Sequence, residues 1–250
     1  MNYQNKLMTP MVSAIMITGK SPARIPFAIT AAKCLWMQTQ TNTELIIVNH
    51  GQPILPLIAE ALADQFRSPG RFVNEFIVDR ADLTLGDLRN FGLAAADGDY
   101  IIQWDDDDWS HPRRIYEQLD VAIAHDCPVT LQNQLRYDFQ TGNGYIAGPG
   151  LTGQKLGLPN TVLFPRTNKR YPAISMDEDG CFLRELGYIH AIHNPPEWHI
   201  RFSHGDNVCS KKNIMKQYSH GSNRMAMHLK AQNYLLEVVD EHYRFAKGRK

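Results

Sequence analysis

Between residues 12 and 125, short apolar runs alternate with stretches of helical spacing, and this alternation limits the possible folds more than any other feature. Val12–Ile17, Glu44–Val48, Phe72–Asp79 and Tyr100–Trp104 are continuous apolar or β-branched runs, the pattern of strands covered by helices on both faces. Between them, Pro26–Gln38, Ile54–Phe66, Thr84–Ala96 and Pro112–His125 carry apolar residues at helical spacing, with Thr84 as an N-cap and Pro112 in a first turn. The β-α order repeats four times and predicts a parallel, doubly wound α/β sheet. Ligands of such sheets bind beyond the carboxyl ends of the strands. Asn49-His50-Gly51, Asp79-Arg80 and Asp105–Asp108 are therefore expected to face one crevice.

After residue 128 the pattern becomes irregular. Val129–Leu131, Thr161–Phe164, Ile189–His193 and His199–Phe202 read as strands, and Asp177–Leu186 as a helix. Gln134–Phe139 and Tyr145–Ala147 flank the glycine-bearing turn Gln140–Gly144 and predict a hairpin. Gly148–Lys155 is glycine-rich, and a loop over Gly148–Gly157 that closes on a ligand is the expectation there. Met225–Phe245 has a rough helical register and predicts a C-terminal helix. No repeat or linker divides the chain, so a single domain over 1–250 is expected. Its expected parts are a ligand-binding half (11–125), a second half (126–222) and the terminal helix (223–250).

The feature richest in chemistry is Trp104-Asp-Asp-Asp-Asp-Trp109. Two carboxylates ~4 Å apart repel by about 4 kcal/mol at an effective dielectric of ~20. A divalent cation relieves that repulsion, and hard ions such as Mg²⁺ and Mn²⁺ prefer oxygen ligands. The plainer alternative is a solvated acidic turn, which the buried strand before it and the flanking tryptophans disfavour. A second acidic cluster, Asp177-Glu178-Asp179, begins a helix, where it serves either as capping charge or as a general base. Arg201–Asn207 contains His204, a surface histidine or a metal ligand.

Composition narrows the partners. With 26 basic and 26 acidic residues the net charge is zero, so no global field draws the chain onto nucleic acid or an anionic membrane. The four cysteines are scattered, with no CxxC pair, and fit a reducing compartment. Met11–Ile17 is too short to span a bilayer and lacks a cleavage pattern, so a soluble, cytoplasmic protein is expected.

Together these pieces resemble glycosyltransferase family 2, the inverting enzymes of the GT-A fold. The matching residues are Val12–Ile15, Gln38 through Glu44–Val48, Gly86-Asp-Leu-Arg89-Asn90-Phe-Gly92, Ala96-Asp-Gly98-Asp-Tyr100, and Asp105–Asp108 with Pro112 four residues on. The match runs through 11–125 and returns at 176–183 and 201–207. The resemblance implies a mostly parallel GT-A sheet with helices on both faces and an irregular acceptor side. It also implies a DxD motif in which Asp107 binds Mn²⁺ or Mg²⁺, while Asp105 contacts the donor ribose or the metal. Asp106 and Glu178 fall among the donor-binding positions, and Arg89 stands where a basic residue often meets the nucleotide. Glu178-Asp179 is similar to the family's ED motif, with Asp179 as catalytic base. His204 is similar to a late histidine that completes the metal or diphosphate site.

Asn49-His50-Gly51 departs from the pattern. Members usually carry two aspartates there, one of which reads the base; Asn49 stands at that donor-binding position and can still hydrogen-bond a base, but it cannot accept from two donors as a carboxylate does. A UDP-sugar remains the favoured donor. Acceptors compatible with the sequence are a cell-envelope glycan, a lipid-linked sugar, a protein or a modified nucleic-acid base. Arg166, Lys169, Arg170 and Tyr171 form either part of that acceptor site or an ordinary loop. Two other readings compete: a sugar-1-phosphate nucleotidyltransferase, for which the single glycine of Thr18–Arg24 is a poor phosphate loop, and a non-catalytic cation-binding module.

Overall fold

A computed structural model describes residues 9–19, 21–63, 69–148, 156–205, 207 and 229–247. The first half follows the expected alternation: β1 (Val12–Thr18), α1 (Ile25–Trp36), β2 (Thr43–Asn49), α2 (Leu55–Leu62), β3 (Arg71–Ile77), α3 (Leu85–Ala95), β4 (Tyr100–Gln103), and, after the two-residue β5 (Trp109–Ser110), α4 (Arg114–His125). β6 (Val129–Leu131), β7 (Gln134–Asp138), β8 (Asn143–Ala147), β9 (Leu158–Pro165), α5 (Glu178–Leu186), β10 (His190–Ile192), β11 (His199–Ser203) and α6 (Leu229–His242) follow. The expected ends at Phe66 and Met225, and most of the glycine-rich 148–157 segment, lie outside the described residues.

The main sheet has the order β10-β6-β9-β4-β1-β2-β3. β1, β2, β3 and β4 are parallel, whereas β9 runs antiparallel to both β4 and β6. The sheet is thus mostly parallel, with one reversed strand that the alternating pattern did not predict. The order reverses at β1, whose neighbours are β2 and β4, and ligands of such sheets bind at a switch point of this kind. A second sheet, β5-β11-β7-β8, takes the last strand and the hairpin; His199–Phe202, read from sequence as one more strand, belongs to it rather than to the main sheet.

Successive residues of a strand point to opposite faces, so each inner strand feeds two cores. On one face Val12, Ala14, Met16, Leu45, Ile47 and Ile102 pack with α1, α2, α4 and α6, and Leu135, Ile200 and Phe202 of the second sheet join the same cluster. On the other face Ile15, Ile46, Val48 and Ile101 pack with Leu88 of α3 and with Phe182 and Leu183 of α5. β3 is the edge strand, and there Phe72 and Ile77 are exposed, so the run read as buried is half-solvated.

α3 begins with a reciprocal capping box between Thr84 and Asp87. A side chain at Gly86 would place Cβ 1.8 Å from the carbonyl oxygen of Pro172. One at Gly92 would place it 2.4 Å from Ile15 Cγ2. The two glycines let α3 lie directly on β1 and on the strand-to-helix segment before α5, which fixes the position of Arg89 between them. α6 ends at His242, earlier than the helical register suggested, yet Tyr243 just beyond it is fully buried.

Candidate active site

The acidic loop leaves β4 at the switch point and is pinned at both ends. Trp104 donates its indole N–H to the carbonyl of Ala31 in α1 at 2.9 Å, and Trp109 donates to the Tyr234 hydroxyl of α6 at 3.2 Å. Between them the four aspartates alternate. The side chains of Asp105 and Asp107 are 20% and 13% exposed, whereas those of Asp106 and Asp108 are 2% and 3%. The DxD pair therefore reaches the crevice and the other two face inward, which is how neighbouring carboxylates avoid sharing one patch of solvent.

Each inward carboxylate has a partner. Asp106 accepts from Arg24 Nε at 3.0 Å and again from Arg24 Nη2. Burial pushes its carboxyl up to about 6 against the pull of Arg24. The structure thus gives Asp106 an internal partner in place of the expected donor contact. Asp108 lies 3.3 Å from His199 Nε2 and accepts from the Phe202 amide and from Asn160. Burial, with Asp107 and Asp105 adding repulsion, raises Asp108 well above the usual carboxylate range. His199 is lowered well below the ordinary imidazole range by burial and by Arg114. These contacts tie α4, β9 and β11 to the loop.

Arg89 joins the two acidic motifs. Its Nε donates to Glu178 at 3.0 Å and its Nη2 to Asp105 at 3.3 Å, with the guanidinium over the Tyr171 ring at 5.7 Å. Tyr171 in turn stacks on Phe182 of α5 at 3.9 Å between centroids. Arg89 is 6% exposed and its cationic face is spent on carboxylates, so it acts as a bridge rather than an open nucleotide contact. Glu178, itself buried, serves the same bridge. Asp179, next to it at the start of α5, is partly exposed. Burial raises its carboxyl above the ordinary aspartate value against the attraction of Arg89, and Asp105 adds repulsion.

On the other side of the loop, Asp107 Oδ2 meets His204 Nε2 and Asn207 Nδ2, both at 3.1 Å, and Arg24 Nη2 at 3.2 Å. Although burial opposes it, Arg24 followed by His204 holds Asp107 below the ordinary carboxylate range. Phe27 of α1 stacks on the His204 ring at 4.3 Å. A carboxylate oxygen suits Mn²⁺ or Mg²⁺, whereas the imidazole nitrogen beside it is a softer ligand that Mg²⁺ takes poorly. The three expected ligands are not gathered, however: Asp105 is turned to Arg89 and Gln103, and only Asp107 and His204 converge. Among the described residues no group of three His, Cys, Asp or Glu side chains is disposed to hold an ion. Mg²⁺ is usually held by one or two carboxylates together with substrate phosphates and water rather than by an all-protein cage.

Asn49 is 1% exposed and its carboxamide is occupied locally. Its Nδ2 donates to Glu75 at 2.7 Å and to the Gln52 carbonyl at 2.8 Å, and its Oδ1 accepts from the Gly51 amide. The side chain shapes the loop after β2 and has no donor left for a base. Of the downstream cluster, Tyr171 belongs to the Arg89 bridge, while Arg166 and Lys169 donate to the carbonyls of Gly98 and Glu185. Arg170 is exposed and bonds only to nearby carbonyls.

Several contributors escaped the sequence reading. Arg24 was seen only as part of a poor phosphate loop. Arg201, held charged against burial by Asp108, Asp105, Asp107 and Asp179, belongs to the acid cluster. The one sequence signal for it was its place in the short Arg201–Asn207 match. Asn207, which donates to Asp107, shared that signal, whereas the His199–Asp108 pair carried none, since its members meet only through the fold of the second sheet.

A parallel core with one reversed strand, a switch-point DxD pair and a second small sheet define a GT-A-type α/β architecture. Solved structures of S. aureus TarS share it over 94% of this chain: one of TarS at a TM-score of 0.57 and 14% identity, of which 44% is covered, and one of TarS 1–349 in complex with UDP-GlcNAc at 0.60 and 15%, of which 73% is covered. In sequence the chain is similar to EpsH of Bacillus subtilis (strain 168), named as a glycosyltransferase, with 32% identity over 115 residues, which are 46% of this chain and 31% of EpsH. The chain thus spans about a third of the curated relative that it matches. The model of glycosyl transferase family 2 matches residues 13–188, and the chain belongs to that family. Among the described residues no helix is long and apolar enough to cross a membrane.

Proposed function

We propose that this chain is an inverting, metal-dependent glycosyltransferase that moves a sugar from a UDP-sugar to an acceptor hydroxyl, with residues 1–250 acting as one catalytic unit. The observation that carries the proposal is the Arg89 bridge, which holds the crevice-facing Asp105 and the Glu178-Asp179 pair in one site although the motifs lie more than seventy residues apart. The TarS complex with UDP-GlcNAc, similar in fold, supports the choice of donor.

In this mechanism Asp179 takes the proton from the acceptor hydroxyl as that oxygen attacks the anomeric carbon. A carboxyl raised by burial is a stronger base than a solvated one and is better matched to the task. Attack from the face opposite the leaving diphosphate inverts the anomeric centre. Asp107 and His204 would hold Mn²⁺ or Mg²⁺, which when bound supplies positive charge to the departing diphosphate. Arg201 lies within the field of the acid cluster and keeps it from repelling that anion. Asp105, held by Arg89 and Gln103, would contact the donor ribose.

A thermal-shift panel of nucleoside diphosphates and nucleotide sugars, with and without Mn²⁺, tests the donor side. One base and one sugar should raise the melting temperature in a metal-dependent way. A panel in which no nucleotide stabilises the protein under any metal condition would sink the proposal.

A further inference from the structure

Arg24 ends the 3-10 turn Pro22–Arg24, just after the loop that follows β1. It makes a two-point contact with the buried Asp106 and a third contact with Asp107. The same Asp107 oxygen accepts from His204 and Asn207. The carboxylate proposed above as the cation ligand is therefore already held by nitrogen groups, one of them a permanent cation.

We propose that Arg24 is a built-in competitor for the divalent cation, so that the free protein takes up the ion poorly and binds it together with the nucleoside diphosphate. This rests on the reading of Asp107 as a metal ligand. Two cations at one carboxylate repel, and in a partly buried site that repulsion is only weakly screened. A diphosphate brings negative charge that offsets the guanidinium and supplies further oxygen ligands. Arg24 does not have to leave the loop when the ion arrives. Its pair of contacts to Asp106 can persist while the single contact to Asp107 is exchanged. Arg24 is in this sense a positioning residue that sets the order of assembly.

The test is Mn²⁺ binding followed by the electron paramagnetic resonance signal of free Mn²⁺, with and without UDP, for the wild type, Arg24→Gln, Arg24→Lys and Asp107→Asn. Without UDP, Arg24→Gln should bind Mn²⁺ at least tenfold tighter than the wild type, while Arg24→Lys stays near the wild type because it keeps the charge. UDP should tighten Mn²⁺ binding at least tenfold in the wild type and much less in Arg24→Gln. The double variant Arg24→Gln/Asp106→Asn removes the buried partner charge together with the guanidinium and gives a folded comparison, verified by circular dichroism, if the single variant unfolds. The inference is overturned if wild-type Mn²⁺ uptake with UDP is lost in Asp107→Asn, yet neither Arg24 variant lacking the charge binds Mn²⁺ more tightly without UDP. If the wild type takes up no Mn²⁺ even with UDP, the metal reading itself fails and the inference falls with it.

Discussion

Replacing Arg89 by methionine should be among the most damaging single changes in this chain, and its cost can be worked from its two ion pairs. Arg89 is 6% exposed and bridges Glu178, 3% exposed, to Asp105. Methionine keeps most of the volume and removes the charge. Asp105 still reaches solvent and is partly rehydrated, so the main loss falls on Glu178. Breaking a buried pair by removing one partner costs about 3–5 kcal/mol, because the other charge is left uncompensated. At about 2–4 °C per kcal/mol for a chain of this size, the melting temperature should fall by roughly 6–20 °C. Urea unfolding followed by circular dichroism measures the free energy directly. The decisive comparison is the double variant Arg89→Met/Glu178→Gln, which removes the stranded charge as well. It should recover at least about 1 kcal/mol of the loss, since residues in contact couple by about 0.5–3 kcal/mol. A loss under about 1 kcal/mol in the single variant, a size ordinary for surface substitutions, would refute the bridge as a stabilising element. So would a double variant no better than the single one.

Two further outcomes are expected. Gly86→Ala should destabilise the protein by about 2 kcal/mol or more, because its Cβ would meet the Pro172 carbonyl at 1.8 Å and backbone must move; an unchanged urea midpoint would show that the α3 contact is not tight. Asp179→Asn should lower kcat at least about a hundredfold while leaving UDP affinity, measured calorimetrically, unchanged. In the role proposed for it, Asp179 works only when deprotonated, and burial raises its pKa. The rate should therefore fall as pH drops through a value above the ordinary aspartate range, and that acidic limb should vanish from the residual activity of Asp179→Asn.

How far the sequence carries depends on whether a feature is written along the chain or across it. The four β-α repeats were legible because periodicity is local: apolar runs covered on both faces differ from helical spacing wherever they stand. The Thr84 cap was legible for the same reason, since its partner Asp87 is three residues away. The reversal of β9 was not, because strand direction leaves no trace in composition. The exposure of Phe72 and Ile77 was missed because an edge strand and an inner strand are written with the same residues. In the site, the aspartate run and the Glu178-Asp179 pair were recognisable, as acidic clusters. Arg24, Arg201 and His199 were not, since an arginine or histidine acquires a role only when a carboxylate from another element arrives beside it. The local role of Asn49 was hidden because its partner Glu75 lies on the neighbouring strand, 26 residues on.

The indole of Trp109 reaches the Tyr234 hydroxyl and stacks on His242, so the acidic loop leans on the far end of the chain. As the polypeptide leaves the ribosome, the four aspartates emerge more than a hundred residues before the helix that braces them. The sheet of the first half can form early, but the loop lacks its second anchor until synthesis has passed Tyr234. A chain cut short before that point would carry every motif of the site without the brace that holds them in shape.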